Sequence, residues 1–154
     1  MKTLFMLSIL TNLTLSAQTI SPAKAQYMVS KTILKKGDEA TLTFTITIPD
    51  NWHIYSNIQN YELGPLPASF LFEPDTGYKL LGPVIPIGSR QKYDPIFQVQ
   101  VNYFDKAGQF QQKIKIRSDN TVVKGYYDYQ LCSTTENKCL MVTENFEFNI
   151  QTTP

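Results

Sequence analysis

Histidine occurs once in these 154 residues, at His53, tryptophan once, at Trp52, and cysteine twice. Each scarcity closes off a class of chemistry. With one histidine, two cysteines and no dense carboxylate set, no tetrahedral metal site can be assembled, and none is expected. A Ser-His-Asp triad would have to use His53, and no serine stands in a G-x-S-x-G elbow. Neither G-x-x-x-x-G-K-[ST] nor G-x-G-x-x-G occurs, so no phosphate or dinucleotide cofactor is expected. A lone histidine inside "NWHIYS" reads as a structural or surface residue of a strand. Excess charge is missing too: 14 basic residues face 13 acidic ones, which leaves no footprint for nucleic acid or an anionic membrane. Apart from the aromatic-rich strand faces, the two cysteines are the chemistry that remains.

Long apolar runs are also missing. The longest follows Lys2 and extends from Leu4 to Leu15, well short of the about 20 residues that a membrane span requires. A basic start, a short apolar middle and a small-residue finish describe a secretory signal peptide. Cleavage is expected after Ala17, leaving residues 18–154 as one domain, with Ala25 in "AKAQ" as a later alternative. Removing residues 1–17 takes away Lys2 and no acidic residue, so 13 basic face 13 acidic residues. No membrane insertion of the mature domain is expected. Export to the periplasm or beyond favours a disulfide as the resting state of two cysteines.

What the chain has in quantity is alternation. In "EATLTFTITI", Leu42, Phe44, Ile46 and Ile48 fall on one face and threonines on the other. "FQVQVNYF" and "ENFEFNI" repeat that period of two. Such runs are half-buried strands, and the turn residues of "PDTG", "PIGSR", "DKAG" and "SDN" separate them. Eight or nine strands with no helical periodicity predict an all-β antiparallel sandwich.

Cys132 closes the run "GYYDYQL" and Cys139 opens "CLMVTENFEFNI", with "STTENK" between them as a polar hairpin turn. Asn137 suits a positive-φ position there. Directly opposed residues of a hairpin come within disulfide reach, so a bridge is expected. Two uses of that bridge stand side by side. As a staple it closes a loop of about eight residues and stabilises the fold by about 2.5 kcal/mol, modest beside a hairpin that already closes locally. As an accessible bridge at a sheet end it could instead exchange with partner thiols. The staple belongs with a secreted binding or scaffold module, and the exchanging bridge with a redox protein.

The stretches "NWHIYS", "GPLPASFLFE", "KYDPIFQVQVNYF" and "KGYYDYQLCSTTENKCLM" occur in an order that resembles one family. This is the N-terminal periplasmic domain of bacterial DsbD thiol:disulfide interchange proteins, or disulfide-bond corrector domains. The resemblance spans Tyr27 to Ile150. It implies an immunoglobulin-like sandwich whose two cysteines, here Cys132 and Cys139, form a redox-active disulfide. It also implies a thioredoxin-like electron donor, and as acceptor a periplasmic disulfide isomerase or a cytochrome c maturation thioredoxin. The protein would then be a protein-disulfide reductase or exchange component without a cofactor. By the same resemblance Cys139 forms the mixed disulfide and Cys132 resolves it. A cap loop covers the pair; "YDPIF" falls at its place, with Tyr93, Ile96 or Phe97 as the covering side chain, Asp94 as an acidic neighbour and Pro95 between.

Overall fold

A computed structural model describes residues 21–31 and 33–152. The expected leader and its cleavage point after Ala17 lie outside the described residues. Ten strands form, with no helix among the described residues. They are β1 (Lys24–Val29), β2 (Glu39–Thr47), β3 (Trp52–Tyr55), β4 (Ser69–Phe72) and β5 (Tyr78–Ile87). The second half supplies β6 (Arg90–Asp94), β7 (Val99–Phe104), β8 (Ala107–Ile116), β9 (Thr121–Ser133) and β10 (Cys139–Ile150). One sheet has the order β1-β2-β8-β5. The other runs β10-β9-β3-β7-β6, with β4 paired to β9, and every strand pairing is antiparallel. This is the expected immunoglobulin-like sandwich.

The alternation in β2 becomes the core directly. Leu42, Phe44 and Ile46 are fully buried and meet Phe110 and Ile114 of β8 on the same inner face. Phe44 sits at the centre of an aromatic cluster, with the rings of Phe70, Tyr127 and Phe146 within 4.9–5.7 Å of its own. Edge-to-face and tilted contacts of this kind add to the area that the rings bury.

Strand β6 is the element beyond the sequence reading. Its residues, "RQKYD", carry no apolar alternation, because it is an edge strand with one half-buried position, Lys92, and one buried one, Asp94. Tyr93 and Asp94, expected within the cap loop, belong to this strand, and the loop proper is Pro95–Gln98. Phe97, expected as the first residue of the following strand, sits in that loop too, since Gln98 turns at φ 56° before β7 begins at Val99.

Strand β3 breaks the alternation in a different way. His53, Ile54 and Tyr55 are all buried. Ile54 points into the main core, while Tyr55 joins Val101 and Cys132 in a second, smaller cluster, with Phe97 and Tyr61 against it. By strand alternation this cluster lies on the outer face of the larger sheet. Burial on both faces means that something covers the sheet from outside, and there the functional site lies.

Candidate functional site

Cys132 and Cys139 stand directly opposite each other in the β9–β10 ladder and form a disulfide, with their Cα atoms 4.0 Å apart. The next pair toward the turn is hydrogen bonded, Ser133 N–H donating to the Lys138 carbonyl at 2.9 Å. Cys132 and Cys139 therefore occupy a non-hydrogen-bonded position, where facing side chains approach most closely. Asn137 takes φ 48° in the intervening turn. The Ser133 hydroxyl accepts from the backbone N–H groups of Thr135 and Glu136, at 3.3 and 3.1 Å, and orders the turn from within. Lys138 pairs with Glu136 and lies over the Trp52 ring, 5.7 Å from its centroid.

The two sulfur-bearing residues are unequal. Cys132 is 3% exposed, whereas Cys139 is exposed at the start of β10. A cleft of about 340 Å³ opens beside them, and Asp94, Pro95, Ile96 and Phe97 form one wall of it. Of the three expected covering side chains, Phe97 packs against the cluster that contains Cys132, and its ring lies 6.3 Å from that of Tyr55. Ile96 lines the cleft with 69% of its surface open. Tyr93 is not brought to the cleft; it is 56% exposed, and its neighbours Lys92 and Asp94 line the wall instead.

Asp94 ties the turn Pro95–Gln98 to the sheet. It is buried, and its Oδ1 accepts the backbone N–H groups of Ile96 and Phe97 at 3.0 and 3.2 Å. Its carbonyl accepts the Gln98 N–H at 2.8 Å, and its Oδ2 accepts the Tyr55 hydroxyl at 2.8 Å. One carboxylate thus ties the turn to the sheet beneath it. Burial and the bond to Asp94 both raise the Tyr55 pKa, so that hydroxyl keeps its proton at all physiological pH.

His53 is the site residue that sequence reasoning missed. It pairs in register with Cys132 across the β3–β9 ladder, so both side chains stand on the same outer face. It is 6% exposed and lines the cleft. Its Nε2 lies 3.2 Å from the Tyr55 oxygen. The single Tyr55 hydrogen goes to Asp94, so Nε2–H must be the donor and the neutral Nε2–H tautomer follows. Among the described residues Nδ1 has no hydrogen-bond partner. Burial, then the nearby Lys92 charge, push the imidazole pKa from 6.5 down to about 4, with Asp94 acting weakly the other way. Lys92 itself lies over the Tyr103 ring, and burial lowers its pKa.

A stability prediction follows from the neutral imidazole. Between pH 6.5 and about 4 the unfolded chain binds a proton at His53 that the folded chain does not. Stability therefore falls as pH drops through that window, by about 3 kcal/mol when the fall is complete. Urea midpoints measured at pH 7 and pH 4.5 should show this fall in the wild type and a smaller one in His53→Gln. Equal falls in the two proteins would place the titrating groups elsewhere.

Sequence offers one weak signal for His53: it precedes by two residues a tyrosine of the same strand. Its position opposite Cys132 is set by the pairing of distant strands, which periodicity does not reveal.

Residues 16–150 match the family described as "Thiol:disulfide interchange protein DsbD, N-terminal". No curated protein matches the chain. Among solved structures, the fold is similar to the DsbD N-terminal domain of Neisseria meningitidis in its reduced form, at 15% identity and a TM-score of 0.53. That match covers 77% of this chain and 80% of the other. It is also similar to the N-terminal periplasmic domain of ScsB from Proteus mirabilis, at 11% identity and a TM-score of 0.53, covering 83% of this chain and 45% of that one. With a buried cross-strand cysteine beside a latched turn, and a family match over nearly the whole described sandwich, the chain belongs to the DsbD N-terminal domain family.

Proposed function

We propose that this domain is an exported thiol:disulfide interchange module that passes electrons through a reversible Cys132–Cys139 disulfide. The observation that carries this reading is the unequal burial of the two cysteines. A donor thiolate attacks at the exposed Cys139 with the buried Cys132 as leaving group; toward an acceptor, Cys139 forms the mixed disulfide and Cys132 resolves it. An inert staple has no need of such asymmetry, nor of a turn latched over one sulfur. The solved reduced form of the Neisseria meningitidis domain is in keeping with a pair that cycles.

The turn Pro95–Gln98 acts as the cap, with Phe97 against the cluster around Cys132 and Asp94 as its latch. Docking of a partner opens it, and the rate of exchange follows opening and docking. A thioredoxin-like dithiol serves as donor, and a periplasmic disulfide isomerase or a cytochrome c maturation thioredoxin as acceptor. The periplasmic location named for the ScsB domain fits the signal peptide read from the sequence at residues 1–17. Cleavage after Ala17 also keeps β1 whole, whereas cleavage after Ala25 would remove its first two residues.

The test is the reduction potential of the pair in the folded domain, equilibrated against glutathione or thioredoxin buffers. A value between about −270 and −180 mV is expected, the range of working exchange proteins. A value below about −300 mV would mark a structural bridge and favour a binding or scaffold module built on the same sandwich.

A further inference from the structure

We propose that His53 Nδ1 accepts a hydrogen bond from the Cys132 thiol in the reduced domain, and thereby tunes the Cys132–Cys139 couple. The inference rests on the reading that the pair cycles between disulfide and dithiol. Three observations meet at this one atom. Register places His53 directly opposite Cys132, on the same face of the sheet. The other ring nitrogen is committed, since Nε2–H donates to Tyr55, which donates to Asp94. Nδ1 is then a buried lone pair without a partner among the described residues.

An orphaned buried acceptor costs free energy. In the disulfide form Cys132 has no hydrogen to offer, so that cost persists. Reduction supplies an S–H donor at the facing position and removes it. The reduced form is stabilised relative to the oxidised one, and the potential of the couple rises.

The groups around the ring keep it in the required state. Lys92 and Asp94 of β6 face it, Tyr103 of β7 meets it edge-on at 6.2 Å, and Tyr55 holds it from its own strand. With the imidazole pKa lowered to about 4, Nδ1 remains a free acceptor at neutral pH.

The chemical step balances as follows. A thiolate of a partner dithiol attacks Cys139 Sγ, the S–S bond breaks, and Cys132 leaves with the electron pair. Cys132 takes a proton and donates it in a hydrogen bond to Nδ1. The second partner sulfur then displaces Cys139 as a thiolate, which is protonated in turn. The partner dithiol ends as a disulfide, and its two thiol protons are balanced by those on Cys132 and Cys139. In the opposite direction the bond to Nδ1 holds Cys132 as a thiol, and so slows its attack on a mixed disulfide.

Two isosteric substitutions separate the nitrogens. His53→Gln keeps a donor near the Nε2 position and loses the Nδ1 acceptor; His53→Asn keeps an acceptor near Nδ1 and loses the Nε2 donor. Equilibration with glutathione should shift about fivefold toward the disulfide in His53→Gln, which is about 20 mV for a two-electron couple. His53→Asn should recover most of that shift. In the wild type, reduction should move the ¹⁵N resonance of Nδ1 upfield as it gains a hydrogen bond, a readout that needs no variant to fold.

A wild-type potential in the exchange range, with His53→Gln unchanged and Nδ1 unmoved on reduction, overturns this inference and leaves the proposed function standing. A pair that cannot be reduced in the folded wild type overturns both.

Discussion

Cys132→Ser is expected to accumulate as a mixed disulfide through Cys139, and Cys139→Ser to yield no trapped partner at all. The reason is access. Cys139 is exposed, whereas Cys132 is 3% exposed within the cluster that Phe97 packs against. Removing either cysteine removes the same bridge, so both variants should lose the same stability, about 2.5 kcal/mol in the chain-entropy picture. Exchange through the intact couple falls to background in both. Trapping separates them: without Cys132, nothing inside the domain can resolve the mixed disulfide that Cys139 has formed. The bait is a thioredoxin-like protein with its own resolving cysteine replaced by serine and its remaining thiol activated as the mixed disulfide with thionitrobenzoate. The variant's thiolate displaces thionitrobenzoate, and non-reducing gels are the readout. Trapping through Cys132 in the Cys139→Ser protein would reverse the assigned roles. Trapping in neither, with both variants folded, would favour the inert staple.

Asp94→Ala is expected to have the largest effect among substitutions that leave the disulfide in place. Its carboxylate accepts Ile96 N–H, Phe97 N–H and the Tyr55 hydroxyl, and it is itself buried. Truncation removes the acceptor of the Tyr55 hydroxyl hydrogen, leaving that buried group only its contact with His53 Nε2, and frees the turn from the sheet. Three bonds to one buried carboxylate amount to a loss of about 3–5 kcal/mol. That is a large share of the about 5–15 kcal/mol that stabilises a typical domain. The freed turn also exposes Cys132. If closure loses at least about 1.4 kcal/mol, the open population, and with it the rate of reduction by dithiothreitol, rises about tenfold. Asp94→Asn keeps an oxygen for the two backbone donors, and should show the smaller change in both urea midpoint and reduction rate. An unchanged dithiothreitol rate in Asp94→Ala would mean that the turn does not govern access to the sulfurs.

Much of this site is local in the chain, and that part is legible without a structure. Cys132 and Cys139 flank one tight turn, so strand periodicity and turn chemistry are enough to set them opposite each other. The same holds for the core: the period of two in β2 already names Leu42, Phe44 and Ile46 as inward facing, and they are fully buried. The resemblance placed the cap at 93–97, and in the structure four of those residues, 94–97, line the cleft. Tyr93 does not line the cleft, for a simple reason. It lies within strand β6 rather than the loop, and alternation turns it away from Lys92 and Asp94.

The sequence by itself therefore determined the alternating strands, their inner faces and the hairpin that joins the cysteines, but not the edge strand β6, because each of the former depends on residues a few positions apart. Only the tertiary structure decided what surrounds the buried sulfur. Pairing of β3 with β9 set His53 opposite Cys132, and the β6–β7 edge brought Asp94 under the hydroxyl of Tyr55, a residue 39 positions away. A period of two says which face a side chain takes but not which distant strand lies beside it. That choice belongs to the packing of the whole sheet, and it set a histidine that reads as structural directly opposite a cysteine of the disulfide.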